Sequence, residues 1–195
     1  MKTSHPISSV IPTVDGLVLE VLAGTTGPLN LVTIHSLARD ASVSGIRKAL
    51  LRLVNTGVVE HVAGGYSLNR EHLAAPAVIA LAGLRKELMV RIAHSVSSWR
   101  PQPDLVGIFG SAARREGDDE SDIDILAVTE GPEAPEQAGE LAQQVQRWTG
   151  NRCQVVTVGK DDLRRLRRHK EPLLSSWEQD LVVITGDRSA LNGSA

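Results

Sequence analysis

The spacing of apolar residues divides the chain into an N-terminal group of helices and a C-terminal group of strands and helices. Residues 1–12 show no period and are predicted to be a loose arm. The predicted N-terminal elements are helices over residues 14–22, 33–39 and 43–55, an extended piece at 29–32, and a hairpin of strands 58–62 and 66–68 around Gly64-Gly65. A longer helix is predicted over residues 76–99, since Pro76 suits a first helical turn.

From residue 105 onward, apolar runs of strand length alternate with helical stretches, which predicts a sheet with flanking helices. The predicted elements are strand 105–109, a short helix, strand 123–128, helix 136–148, strand 151–158, helices 162–170 and 172–179, and strand 181–185.

Two carboxylates stand two residues apart at the start of the second of these strands. Because side chains alternate along a strand, Asp122 and Asp124 are expected to share one face while Ile123 and Ile125 point into the sheet. Neighbouring carboxylates repel and raise each other's pKa unless a cation joins them. Magnesium, which is usually held by one or two carboxylates together with substrate phosphates, fits this pair.

A tight turn at Gly110-Ser111 joins the first strand to the short helix. Such a turn, leading into a helix N-terminus, offers backbone N–H groups to an anion such as a phosphate. Arg114, one turn into the helix, is a candidate cation beside the same phosphates.

Gly110-Ser111, ten intervening residues and Asp122-Ile123-Asp124 together resemble the signature of the DNA polymerase β-type nucleotidyltransferases, above all the minimal (MNT-type) members, which often partner a HEPN toxin. The resemblance covers roughly residues 100–187. It implies Mg²⁺-dependent transfer of a nucleoside monophosphate, which we expect to be AMP, from ATP or another nucleoside triphosphate to a hydroxyl on a protein, an RNA or a small molecule. The implied roles are catalysis and metal binding for Asp122 and Asp124, and nucleotide binding for Gly110, Ser111 and Arg114. A HEPN-type toxin is the implied protein partner.

One position departs from the family pattern. Many relatives carry a third carboxylate on the next strand, and alignment by eye places Gln154 there. An amide is neither an anionic ligand nor a general base, so catalytic competence stays open. The alternative is a DNA-binding transcription regulator, or an antitoxin acting by docking, whose degenerate domain senses a nucleotide.

The N-terminal order of helices and hairpin resembles the MarR/ArsR-like winged helix-turn-helix modules across residues 13–70. On that resemblance Ser44, Arg47, Lys48 and Arg52 would face DNA from the third helix. The same residues could equally form a solvated helix face or a protein-docking surface. Residues 1–75 contain six Lys/Arg against five Asp/Glu, so the electrostatic contribution to DNA binding is expected to be weak.

Composition limits the classes of protein to which the chain can belong. An apolar fraction of 42% is enough for packed cores, and a net charge of −2 argues against a protein that coats nucleic acid. Cys153 is the single cysteine, and no apolar run is long enough for a membrane span, so we expect a soluble, cytoplasmic protein. The predicted fold is α+β, with a winged helix-turn-helix at 1–72, a linking helix at 73–100, a mixed-sheet nucleotidyltransferase domain with flanking helices at 101–187 and a tail at 188–195.

Overall fold

A computed structural model describes residues 1–192 of the 195-residue chain. It divides into two compact units. The N-terminal unit is His5–Arg85, and the C-terminal unit combines Met1–Ser4 with the chain from Lys86 onward. The boundary therefore lies inside the stretch predicted as a linking helix, and the first four residues belong to the opposite unit from the one predicted.

The N-terminal unit consists of helices and one hairpin in the predicted order. Its elements are α1 (Val14–Ala23), α2 (Leu31–Leu37), α3 (Val43–Asn55), β1 (Val59–Val62), β2 (Gly65–Leu68) and α4 (Ala75–Ala82). The Ser42 side chain caps α3 by accepting from the Gly45 N–H. Aliphatic side chains from all three leading helices form the core, including Val18, Leu22, Ile34, Ile46 and Leu50. That this unit works as a DNA-binding winged helix stays a prediction.

The predicted loose arm at residues 1–12 is wrong. Pro6–Ser9 form a 3-10 helix, and Ile7 is fully buried in the core of the N-terminal unit. In the C-terminal unit the Met1 ammonium donates to the Thr149 carbonyl at 2.9 Å and to Asn151 Oδ1 at 2.7 Å. A single buried aliphatic side chain on one short turn produces no periodic pattern, so the apolar spacing gave no sign of this order.

The predicted long helix over residues 76–99 is interrupted at Gly83. The observed helices are α4 and α5 (Leu84–Val96). Val78 of α4 packs in the core of the N-terminal unit, whereas Leu88, Ile92 and Val96 of α5 pack in the C-terminal unit. The two helices thus serve two separate cores, and glycine, a poor helix former, stands at the junction between them.

The C-terminal unit is built on a four-stranded mixed sheet, as predicted. Its strands are β3 (Leu105–Phe109), β4 (Ile123–Val128), β5 (Cys153–Val158) and β6 (Val182–Gly186). They lie in the order β5-β4-β3-β6, with β4 parallel to β5 and β3 antiparallel to both β4 and β6. The remaining helices are α6 (Gly110–Arg114), α7 (Ala134–Thr149), α8 (Lys160–His169) and α9 (Pro172–Asp180).

Alternation along the strands separates two apolar layers, one on each face of the sheet. Ile123 and Ile125 of β4 pack with residues of α5 and α7. Leu126 and Val128, on the other face, pack with α8 and α9, where Trp177 is fully buried. Both faces of β4 are therefore covered along most of its length, and the exception is the N-terminal end of the face that carries Asp124.

The chain's last described residues are ordered. Within the predicted tail, Arg188–Asn192 form a 3-10 helix that buries Leu191, and residues 193–195 lie outside the described residues. None of the helices found in residues 1–192 is both long enough and apolar enough to span a membrane.

Candidate active site

Asp122 and Asp124 lie at the uncovered end of β4. Ile123 and Ile125 are fully buried on the opposite face, while the Asp122 side chain is 51% exposed and Asp124 is half-buried. Burial, followed by the charge of Asp122, raises the pKa of Asp124 above its usual range. The two carboxylates thus share the same face.

Gly110 borders this carboxylate pair across the sheet. Phe109 is the register partner of Asp124, and the next residue turns the chain into α6 with φ +70°. A Cβ atom at Gly110 would lie 2.9 Å from Asp124 Oδ2. Glycine is therefore favoured here for two reasons: the left-handed backbone and the close approach of the chain to a carboxylate. Ser111, half-buried, follows directly in the turn.

The neighbouring strand β5 brings two further side chains beside the carboxylate pair. Its parallel register pairs Asp124 with Gln154, so the position found by alignment lies directly beside the second carboxylate, and its side chain is exposed. Two residues earlier, Arg152 flanks Asp122, with 3.6 Å between Arg152 Nε and Asp122 Oδ1. Two carboxylates at the start of β4 therefore lie beside an arginine and an amide at the start of β5.

Arg114, predicted as a phosphate ligand, has two carboxylate partners of its own. Its Nε donates to Glu116 at 2.8 Å and its Nη1 donates to Asp180 at 2.6 Å. These hydrogen bonds raise the pKa of the Arg114 guanidinium. The guanidinium is thus occupied, and a phosphate would have to compete with Glu116 and Asp180 for it.

Cys153, which lies between Arg152 and Gln154 in sequence, packs against the apolar layer on the opposite face of the sheet. Burial raises the pKa of the thiol to about 12, and the charges of Asp124 and Asp122 add to that effect. A thiol with so high a pKa is a poor nucleophile at neutral pH.

The donor set fits a divalent cation that is shared with a substrate. Within residues 1–192 no cluster of three or more His, Cys, Asp or Glu side chains could hold a metal ion alone. Two carboxylates beside a glycine that leaves room at Asp124 Oδ2 match the way Mg²⁺ is held, with phosphates and water supplying the other ligands. A cation there would also stabilise the ionised form of Asp124, whose pKa is raised by burial and then by the charge of Asp122.

The four residues predicted to face DNA are exposed on α3. Ser44, Arg47 and Lys48 lie in its first two turns, but Arg52 is tied to Asp15, with Nη2 donating at 2.8 Å and Nε at 3.2 Å. The same helix also exposes two apolar side chains, Val43 (44% exposed) and Leu51 (59% exposed).

Part of the chain matches the model of a known family. Residues 93–171 match the model of the family described as "Polymerase beta, Nucleotidyltransferase". The matched family is that of the nucleotidyltransferases. The match spans less than half of the chain, and within it lie the Gly110-Ser111 turn, the two aspartates, Arg152 and Gln154. We call residues 93–171 the nucleotidyltransferase segment.

A solved structure described as "Crystal structure of the toxin-antitoxin with AMP-PNP" is similar to 55% of this chain and 77% of its own, with 18% sequence identity and a TM-score of 0.40. No curated protein matches the chain.

The raised pKa of Asp124 yields a stability prediction. Because folding raises this pKa, the folded protein holds the proton more tightly than the unfolded chain does. The ionised carboxylate therefore lowers stability increasingly as pH rises through the unfolded and then the folded pKa, and the full penalty is present at pH 7. We expect Asp124→Asn to raise the melting temperature at pH 7 in EDTA. The gain should vanish once the pH falls below the ordinary pKa of an aspartate, about 3.8.

Asp161→Asn is the matched control. Asp161 is 95% exposed at the start of α8 and pairs with Arg164, so its loss should leave stability unchanged or slightly lower it. A melting temperature for Asp124→Asn that falls below that of the wild type at pH 7 would contradict the assigned electrostatics.

Proposed function

We propose that the nucleotidyltransferase segment transfers a nucleoside monophosphate, most simply AMP, from a nucleoside triphosphate to a hydroxyl in a Mg²⁺-dependent reaction. The observation that carries the proposal is the carboxylate pair, Asp122 and Asp124, on one face beside the left-handed Gly110. The family match over residues 93–171 supports the same reaction class.

The chain's own contribution is to bind and align the reactants. Asp122 and Asp124 would hold the metal ion, which when bound neutralises charge on the triphosphate. Gly110 lets the backbone approach the phosphates, and Ser111 adds a hydroxyl beside them. The acceptor oxygen attacks the α-phosphorus in line, the bond to the bridging α–β oxygen breaks, and pyrophosphate leaves. Alignment of this kind supplies a large part of the rate enhancement in such displacements.

Gln154 limits the chemistry that the site can supply. Beside Asp124, where a carboxylate would accept the proton of the attacking hydroxyl, this side chain offers only an amide that donates and accepts hydrogen bonds. We infer that the proton passes to solvent and that transfer is slow, while nucleotide binding is retained.

The acceptor of the nucleoside monophosphate can be identified by labelling. Wild-type protein would be incubated with α-labelled ATP, Mg²⁺ and cell lysate, with Asp124→Asn as the control. Label on a protein, such as the HEPN-type toxin implied by the resemblance, on RNA or on a small molecule supports transfer and identifies the acceptor class. An absence of label above the Asp124→Asn background counts against an active enzyme.

The left-handed turn provides a sharper test of nucleotide binding. Gly110→Ala and Gly150→Ala impose similar backbone strain, since the φ angles are +70° and +77°. Only the first places a Cβ against Asp124, because no atom lies within 4 Å of a Cβ at Gly150. Both variants should lose about 1–2 kcal/mol of stability. Only Gly110→Ala should weaken binding of Mg²⁺ with α,β-methylene-ATP, by about tenfold or more.

Calorimetry on the folded variants measures that affinity. Equal affinities for Gly110→Ala and Gly150→Ala would show that the nucleotide does not use this turn.

Restoring a carboxylate tests the role of Gln154. We expect Gln154→Asp to raise the transfer rate, by about tenfold or more, given that general-base catalysis contributes about 10²–10⁴-fold. The control is Gln143→Asp, an exposed position on α7. A wild-type protein that transfers rapidly and loses activity in Gln154→Asp would overturn the inferred role. A protein that binds nucleotide but transfers in neither form is a sensor.

DNA binding by the N-terminal unit is a second candidate function. Exposed Arg47 and Lys48 on α3 favour it, whereas the pairing of Arg52 with Asp15 removes one of the cations predicted to take part. A mobility-shift assay at low salt with native upstream DNA tests it. Binding that Arg47→Ala weakens by about 1–3 kcal/mol supports base contact. An absence of binding leaves α3, with its exposed Val43 and Leu51, as a protein-docking surface.

A further inference from the structure

Asp122, Asp124, Arg152 and Gln154 lie side by side at one end of the sheet. Of these four residues, Arg152 is the one that neither the sequence motif nor the proposed reaction accounts for. It precedes β5 as Asp122 precedes β4, and the strands pair in parallel register from Ile123 and Cys153 onward. The Ile123 N–H donates to the Arg152 carbonyl at 2.9 Å, which holds the two backbones side by side. The sheet therefore fixes the backbone of Arg152 beside that of Asp122 and leaves its exposed side chain within reach of the carboxylate.

The contact between the two side chains is weak. The Nε–Oδ1 separation of 3.6 Å exceeds hydrogen-bond length, and the side chains of Arg152 and Asp122 are 83% and 51% exposed. An exposed ion pair of this kind is screened by water and salt and contributes little to stability. Arg152 can therefore leave Asp122 with little loss of free energy.

The Arg114 guanidinium is held more firmly than that of Arg152. It holds two carboxylates at hydrogen-bond distance and is 42% exposed. Of these two guanidinium groups at the same end of the sheet, Arg152 is the one that is free to turn toward a ligand.

We propose that Arg152 binds the phosphates of the nucleotide, and that its guanidinium stands at the Asp122 carboxylate while the nucleotide and its divalent cation are absent. The inference rests on the proposed function, since it requires a triphosphate at the carboxylate pair. Arg152 leaves Asp122 when a divalent cation takes that carboxylate, because the two like charges repel. Its planar fork of N–H donors then suits phosphate oxygens. Arg152 thereby takes the phosphate-binding role that sequence reasoning gave to Arg114.

Two binding measurements separate this role from a structural one. The first titrates Mn²⁺ alone, and the second titrates α,β-methylene-ATP with Mg²⁺ in excess. Arg152→Gln should bind Mn²⁺ alone as well as the wild type or more tightly, by up to about fivefold, because the competing cation is gone. The same variant should bind the nucleotide about tenfold more weakly or worse, since a charge-assisted hydrogen bond is lost.

Opposite effects on metal and nucleotide affinity are the signature of the proposed role. Arg147→Gln, an exposed arginine on α7, is the control and should change neither affinity. Arg152→Lys, which keeps the charge but loses the fork, should retain wild-type Mn²⁺ affinity and part of the nucleotide affinity. The melting temperature of each variant reports on folding, and we expect that of Arg152→Gln to stay close to the wild-type value.

Each other outcome overturns a defined claim. Nucleotide affinity that is unchanged in Arg152→Gln overturns the inference and leaves the proposed function standing. A parallel loss of metal and nucleotide affinity shows that Arg152 only supports the structure, which also overturns the inference. A wild-type protein that binds Mn²⁺ but no nucleotide overturns the proposed function and the phosphate role together.

Discussion

The pairing of β4 with a strand on each side is the constraint on which the candidate site depends. Its antiparallel register with β3 places Phe109 opposite Asp124 and so brings Gly110 to the carboxylate. Its parallel register with β5 places Gln154 beside Asp124. A shift of one residue in either register would turn the side chains to the opposite face. Fully buried Ile123 and Ile125 fix the register, because neither could be exposed without loss of core packing.

Electrostatics explains why this site is suited to bind a divalent cation. Ionised Asp124 is unfavourable in the folded protein, since burial and, secondly, repulsion from Asp122 raise its pKa. Arg152 relieves only part of that repulsion, through one long and exposed contact with Asp122. The remaining negative charge is therefore available to a divalent cation, whose own charge then favours a triphosphate. The apolar layers on the two faces of the sheet stabilise the fold. The two carboxylates of the site are unfavourable until a cation binds.

The parts of the site that follow local rules could be predicted from the sequence. Alternation along a strand places Asp122 and Asp124 on one face, and a glycine at a strand-to-helix turn indicates the close approach seen at Gly110. The four strands follow from the order of apolar runs, whereas their mixed pairing was expected only from the family resemblance. Contacts between distant residues were not predictable in this way. Arg114 pairs with Asp180, which is 66 positions away, and no local pattern indicates that partner.

The same limit explains the errors in the N-terminal half. The burial of Ile7 in a 3-10 turn and the anchoring of the Met1 ammonium on Asn151 both depend on segments remote in sequence. The break at Gly83 reflects which core each helix joins, a tertiary property that helical periodicity does not encode. Arg152 left a signal that could have been used, because it stands two residues before Gln154 as Asp122 stands two before Asp124.

The central claim, that Asp122, Asp124 and Gly110 together hold a metal-bound nucleotide, is tested most directly by paramagnetic broadening in the ¹⁵N-resolved NMR spectrum. Mn²⁺ would be titrated into assigned protein saturated with α,β-methylene-ATP. The account predicts that the amide signals of these three residues broaden first, and that Asp124→Asn abolishes the effect at the same Mn²⁺ concentration. Broadening centred elsewhere on the chain, or broadening that Asp124→Asn leaves unchanged, would contradict it.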